Sequence, residues 1–175
     1  MKPGEKVLRV LDVLTNIATI GAACAIIAVV WFRYGPSRQH QGVQPPGIET
    51  GAHVPIEGID WKRSQRTVVL VLSTQCHFCT ESAGFYREIS KRRHPDVLKL
   101  VAVFREDVEA GRKFLSDHAI DVDEVLQRPV ETTGAKGTPA LLLVDAAGNL
   151  NKAWMGRVPP TIEQEILEQL PRSTS

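Results

Sequence analysis

The chain has 175 residues, 43% of them hydrophobic, which is room for one domain with a real core plus something small. Its 21 basic residues nearly cancel its 20 acidic ones, for a net charge of +1, so nothing marks a nucleic-acid footprint or an acid-rich partner. Three cysteines are too few for a disulfide framework, and their odd number leaves at least one unpaired or differently employed.

From Val13 to Phe32 the stretch VLTNIATIGAACAIIAVVWF carries no formal charge. Its length is close to the roughly 20 residues that a helix needs to cross a hydrocarbon core. Lys2, Lys6 and Arg9 precede it, Arg33 and Arg38 follow it, and Trp31, Phe32 and Tyr34 fall where an interfacial aromatic belt lies. The expectation is a transmembrane anchor over 13–33 behind a short cytoplasmic N-terminus, 1–12. A cleavable signal peptide has an apolar region of about 7–15 residues before a small-residue cleavage site, whereas this run continues to Phe32. Gly21-Ala22-Ala23-Cys24 resembles a lipoprotein cleavage box only loosely, since Gly21 stands where leucine is expected. Cys24 then lies inside the bilayer and is inert. The basic residues ahead of the span outnumber those close behind it, a tilt toward a cytoplasmic N-terminus. Everything after the anchor would then lie outside the cytoplasm, where disulfides persist.

Residues 34–58, rich in Gly, Pro and Gln with no sustained apolar period, read as a flexible linker. His40 and His53 are solvated linker histidines in this reading. A domain is expected over 59–171, with a short tail at 172–175.

Within the domain, Thr67 to Ser73 is a continuous apolar run, the pattern of a strand covered on both faces. It leads into Cys76-His77-Phe78-Cys79. Ser82, Phe85, Tyr86 and Ile89 then share one face of a helix that ends near His94-Pro95. Leu98 to Phe104 is a second strand, and Glu106 to Ala119 a helix with Val108, Leu115 and Ala119 on one side. Ala140 to Val144, a turn at Asp145 to Asn149 and a strand from Leu150 to Met155 make a hairpin. Thr161 and Gln164 form a capping box behind Pro159-Pro160 and open a last helix through Ile162, Ile166 and Leu170. The expected order is β-α-β-α-β-β-α.

The C-x-x-C pair admits several chemistries. Haem attachment requires histidine directly after the second cysteine, and Thr80 is there instead. A structural zinc site needs four ligands, no second C-x-x-C exists, and isolated histidines such as His77, His94 and His118 would have to be recruited. Two thiolates with His77 would suit Cu(I) better. The redox reading has a positive physical case. A strand running into a helix puts Cys76 at the helix N-terminus, where unsatisfied N–H groups and the dipole stabilise a thiolate. Cys79, one turn on, is near enough to close a disulfide and better shielded. His77 either adds positive charge beside Cys76 when protonated or is a solvent-facing spacer, and Phe78 is rim or core packing. Pro139, in Gly137-Thr138-Pro139 ahead of ALLLV, is either a plain strand start or a special, cis peptide.

Taken together, the C-x-x-C at a strand-to-helix junction, the later GTP, the hairpin ALLLVDAAGNLNKAWMG and the terminal helix resemble the thioredoxin superfamily over residues 59–171. With the tether, the chain is most similar to the membrane-anchored, extracytoplasmic thioredoxin-like proteins of bacteria. The resemblance implies an α/β fold with a central mixed β-sheet flanked by helices, preceded by a single transmembrane helix. It implies a thiol-disulfide oxidoreductase without cofactor or metal, single-pass in the bacterial inner membrane with a periplasmic catalytic domain. Protein thiols and disulfides are the implied substrates, with a membrane redox partner. Cys76 would attack and Cys79 resolve. Pro139 would be the cis-proline facing the dithiol, the Thr138 backbone would pair with an extended substrate beside His77, and Gly156 matches a glycine near the end of the hairpin.

This sequence departs from the family pattern. Gln75 replaces the usual tryptophan, His-Phe replaces Gly-Pro between the cysteines, and Leu70 occupies the position of a buried aspartate that assists proton transfer. Water or Glu81 would take that task, although Glu81 also reads as a solvated first-turn carboxylate. Ser73 matches a peroxiredoxin feature, but Val69 replaces the proline that motif requires. The contrasting class is a binding module: a thioredoxin-like Cu(I) metallochaperone or a non-catalytic scaffold.

Overall fold

The structure, a computed structural model, describes residues 47–170 apart from Pro95. The expected anchor at 13–33, the N-terminus before it, linker residues 34–46 and the tail lie outside the described residues. Among the described residues no helix is long and apolar enough to cross a membrane.

Strand β1 (Arg66–Leu72) is followed by two short helices, α1 (His77–Glu81) and α2 (Ala83–Ser90), then β2 (Leu98–Phe104), α3 (Val108–Asp117) and β3 (Glu124–Gln127). The chain continues through β4 (Ala140–Asp145), β5 (Leu150–Met155) and α4 (Pro160–Gln169), with 3-10 turns at Trp61–Arg63 and Val130–Thr133. The sheet order is β3-β2-β1-β4-β5. β1, β2 and β3 run parallel, and β4 and β5 are antiparallel to their neighbours, so the sheet is mixed. The first three strands step outward in one direction. Right-handed crossovers therefore put the intervening helices on the same face.

That face carries Leu70, Leu72, Leu100, Phe104 and Leu141 against Phe85, Ile89, Phe114 and Ile166 from the helices. The opposite face carries Val69, Val71, Val101, Val103, Leu142 and Val144. It is closed by Val54, Ile56 and Ile59, with Ile48 and Trp61 packed at the edge. Double coverage explains why residues 67–72 of β1 and all of β2 are buried and why both read as nearly continuous apolar runs, apart from Thr67 at the start of one and Lys99 in the other, whose Nζ donates to Glu124 Oε2 at 2.8 Å.

This packing moves a boundary. Residues 47–58, assigned above to the linker, belong to the domain. Val54 is fully buried and Ile56 is 4% exposed. The segment is also bonded to the β4–β5 turn, with Val54 N–H donating to the Gly148 carbonyl at 2.8 Å and Leu150 N–H to Ala52 at 2.9 Å. Its low apolar density hides this, because only a few side chains are needed to seal a sheet face. His53 is exposed, as expected.

Other expectations change in detail. The helix after the cysteines is interrupted at Ser82, which is the C-cap of α1 and the N-cap of α2. The capping box at Thr161 does not form. Pro159 is the N-cap of α4 without a side-chain cap bond, and Pro160 occupies the first turn, where its fixed φ suits a helix and its missing N–H costs nothing. α3 starts at Val108, capped by Asp107 Oδ1, which accepts from Ala110 N at 2.8 Å. Strand β3 adds an element to the expected order. The β4–β5 turn is as expected: Asp145 Oδ1 accepts from the backbone of Ala147 and Asn149, both at 2.9 Å, and Gly148 adopts φ +85°.

Candidate active site

Buried Ser73 follows the end of β1, and the chain turns there into the cysteines. Cys76 N–H donates to the Ser73 carbonyl at 3.2 Å. Cys76 is the N-cap of α1, and its Sγ accepts the N–H of Cys79 at 3.3 Å, standing where a capping oxygen usually does.

The two thiols are free and unequal. Cys76 is half-buried, whereas Cys79 is fully buried in the helical face of the core. Burial pushes the Cys79 thiol far above the ordinary thiol range, with a further rise from its hydrogen bond with Cys76; the Ser73 backbone and the Thr138 side chain act weakly in the other direction.

The Thr138–Pro139 peptide is cis, the second of the alternatives left open by the sequence. It brings the Thr138 carbonyl 3.5 Å from Cys76 Sγ, within the reach of a thiol donor. Gly156, at φ +74°, donates its N–H to the Pro139 carbonyl at 2.7 Å and ties the end of β5 to this peptide. Three distant segments thus meet at one point: the end of β1, the entry to β4 and the exit of β5.

His77 projects outward, 80% exposed, with Nε2 turned to Glu81 Oε1 at 3.3 Å rather than to the thiols. Glu81 Oε2 also pairs with Arg157 Nη1 at 3.2 Å. Glu81 is therefore not simply solvated; it joins the rim of the dithiol to the segment after β5. Phe78 is not core. It is 52% exposed, the one large exposed hydrophobic among the described residues.

Leu70 is fully buried between Ala102 and Leu141, so the strand centre offers no carboxylate. Sequence reasoning missed a different one. Ser73 Oγ donates to Glu106 Oε1 at 2.7 Å, and Glu106 Oε2 is buried without a partner among the described residues. The signal was available only through register: β1 and β2 are parallel with Leu72 opposite Phe104, which sets the residues after each strand side by side. Arg157 was also missed, and nothing local to it points to the site. Among the described residues no group of three or more His, Cys, Asp or Glu side chains is placed to hold a metal ion.

This architecture, a mixed five-stranded sheet with the C-x-x-C after its central strand and a cis-proline opening the antiparallel half, is the thioredoxin-like α/β fold. No protein-family description and no curated protein matches the chain. Solved structures do. A thiol-disulfide isomerase from Corynebacterium glutamicum is similar over 78% of this chain and 99% of its own, with 18% identity and a TM-score of 0.52. A thiol:disulfide interchange protein from Bacteroides sp. aligns over 74% of this chain and 95% of its own, at 16% identity and a TM-score of 0.56. StoA from Bacillus subtilis aligns over 70% and 98%, at 18% identity and a TM-score of 0.50.

Proposed function

We propose that this protein is a membrane-tethered thiol-disulfide oxidoreductase acting on protein thiols and disulfides outside the cytoplasm. The observation that carries the reading is the pair of unequal thiols. Cys76 is accessible and has a backbone donor on its sulfur, and Cys79 is buried one turn away. The names of similar solved structures, a thiol-disulfide isomerase and an interchange protein, support the same chemistry.

In this mechanism the Cys76 thiolate attacks one sulfur of a substrate disulfide. The substrate S–S bond breaks, the first substrate thiolate leaves, and a mixed disulfide forms. Cys79 loses its proton and attacks Cys76 Sγ, releasing the second substrate thiolate and closing the Cys76–Cys79 disulfide. Two electrons pass from the chain's dithiol to the substrate. The reverse sequence oxidises a substrate dithiol. Thr138 and Pro139 would receive the substrate backbone beside Cys76, with His77 and exposed Phe78 on the opposite rim.

The tether rests on the uncharged run Val13–Phe32 and its basic flanks. A single-pass anchor would hold the domain at the periplasmic face of the inner membrane, within reach of a membrane redox partner. The direct test is catalytic. Full-length protein should reduce insulin disulfides or equilibrate with glutathione, and both activities should vanish in Cys76→Ala. Stoichiometric Cu(I) uptake without exchange would instead make the protein a carrier.

A further inference from the structure

The packing of the domain leaves Phe78 unused. A single exposed hydrophobic is ordinary on a protein surface, so the exposure of this one matters because of where it sits. α1 starts one residue after Cys76, with His77 and Phe78 in its first two positions, while Cys79, next along, turns into the core. Phe78 is 52% exposed and belongs to neither apolar core. Among the described residues its aromatic neighbour is His77, at 5.9 Å between ring centroids. His77 does not bury the ring, being itself 80% exposed with Nε2 held by Glu81 Oε1 at 3.3 Å. The Cys76 sulfur has a second neighbour in the Thr138 carbonyl at 3.5 Å. Gly137, just before Thr138, is bare backbone, and a Cβ there would meet no atom within 4 Å apart from its chain neighbours. The nucleophile is thus bordered by an open stretch of main chain and by an uncovered aromatic ring.

We infer that Phe78 sets substrate choice by receiving an apolar side chain next to the reactive half-cystine. The substrates it favours are disulfides of extended polypeptide with apolar flanking residues, as in chains not yet folded, over disulfides with polar flanks. The inference rests on the oxidoreductase reading above and names the substrate class of the same site. The occupant must bring a sulfur to Cys76, which makes it a disulfide partner and not a lipid surface. Its backbone can lie along Gly137 and Thr138 only where the partner chain is free of its own fold. The side chain beside its cysteine then meets Phe78, where contact removes apolar area from water in proportion to the area covered. Solvent stays on the far side of a half-exposed ring, so discrimination is about tenfold, the low end for an apolar contact. A serine at the same place gains nothing from the ring and loses part of its hydration.

Two peptide disulfides test this, each a symmetric dimer of a short, end-blocked peptide with a central cysteine, flanked on both sides by leucine in one and by serine in the other. The reduced full chain, in a Cys24→Ala background in detergent micelles, is mixed with each, quenched with acid, and the released peptide thiol measured by chromatography. Each reaction turns the protein dithiol into the Cys76–Cys79 disulfide and the peptide disulfide into two peptide thiols. The readout is the leucine-to-serine ratio of rate constants, divided by the ratio that dithiothreitol gives under the same conditions. Any change in the reactivity of Cys76 itself cancels, because both peptides meet the same sulfur. The ratio should be about ten in wild type, about one in Phe78→Ser and mostly retained in Phe78→Leu. A wild-type ratio near one overturns the inference. A ratio intact in Phe78→Ser overturns it too, and if that variant also turns a dimer into a monomer, the ring belongs to contact with a second copy of the chain. A wild-type protein that reduces neither peptide fails the oxidoreductase reading itself, and the inference with it.

Discussion

The backbone amide of Cys79 donates to the sulfur of Cys76 at 3.3 Å, so one cysteine of the pair stabilises the other through its main chain while its own thiol lies buried. The asymmetry follows from the strand-to-helix turn. The first cysteine is the cap, outside the helical body, and the second faces the core with Phe85 and Ile89.

The division of labour can be read by trapping. Cys79→Ala should accumulate mixed disulfides with partner proteins, because attack still occurs and the resolving thiol is gone. Cys76→Ala should accumulate few, and Cys24→Ala should behave as wild type. Non-reducing gels of cells expressing each variant are the measurement; adducts on Cys76→Ala in place of Cys79→Ala would reverse the roles.

The buried thiol also predicts a pH dependence of stability. The folded-state proton affinity of Cys79 is raised, chiefly by burial, above the ordinary value of 9.0. Below that value both states hold the proton and its contribution is complete. As pH rises past it, the unfolded chain releases a proton that the folded chain keeps, so stability falls by about 1.4 kcal/mol per pH unit per group. Tyr86, raised by burial from an ordinary 10.0, adds a second loss at higher pH. The melting temperature of the reduced protein should drop from neutral to alkaline pH, and the slope just above 9.0 should be shallower in Cys79→Ala. Equal slopes would show that the thiol is not held protonated.

The segment ahead of β1 should contribute measurably to stability. Ile56→Ala removes a side chain that is 4% exposed from the face opposite the helices, at a cost of about 2–4 kcal/mol. Urea unfolding of the variant should show a lower midpoint with a similar slope. An unchanged midpoint would return residues 47–58 to the linker.

Topology gives a cellular test. Alkaline phosphatase fused after residue 45 needs an oxidising compartment to fold, and it should be active, because the basic residues favour a cytoplasmic N-terminus. A silent phosphatase with a bright cytoplasmic fluorescent fusion at the same position would reverse the compartment.

The sequence by itself determined the two central strands, the C-x-x-C between strand and helix, the hairpin and its turn. In each the deciding interactions are local or periodic: Val68 to Leu72 and, apart from Lys99, Leu98 to Phe104 are apolar because both faces are covered, and Asp145 closes its turn on Ala147 and Asn149. Tertiary structure alone decided the rest. β3 is four residues long and half-buried, with polar Glu124 and Gln127 at its ends, and it is a strand only because Val101 to Phe104 offer it a parallel edge. Val54 and Ile56 look like linker residues until a sheet face stands beneath them. Ser73 meets Glu106 across 33 positions of sequence, and Glu81 meets Arg157, because strand register and the exit of β5 bring them together. Such contacts carry no periodic trace in the chain, since a single long-range bond needs only one residue at each end.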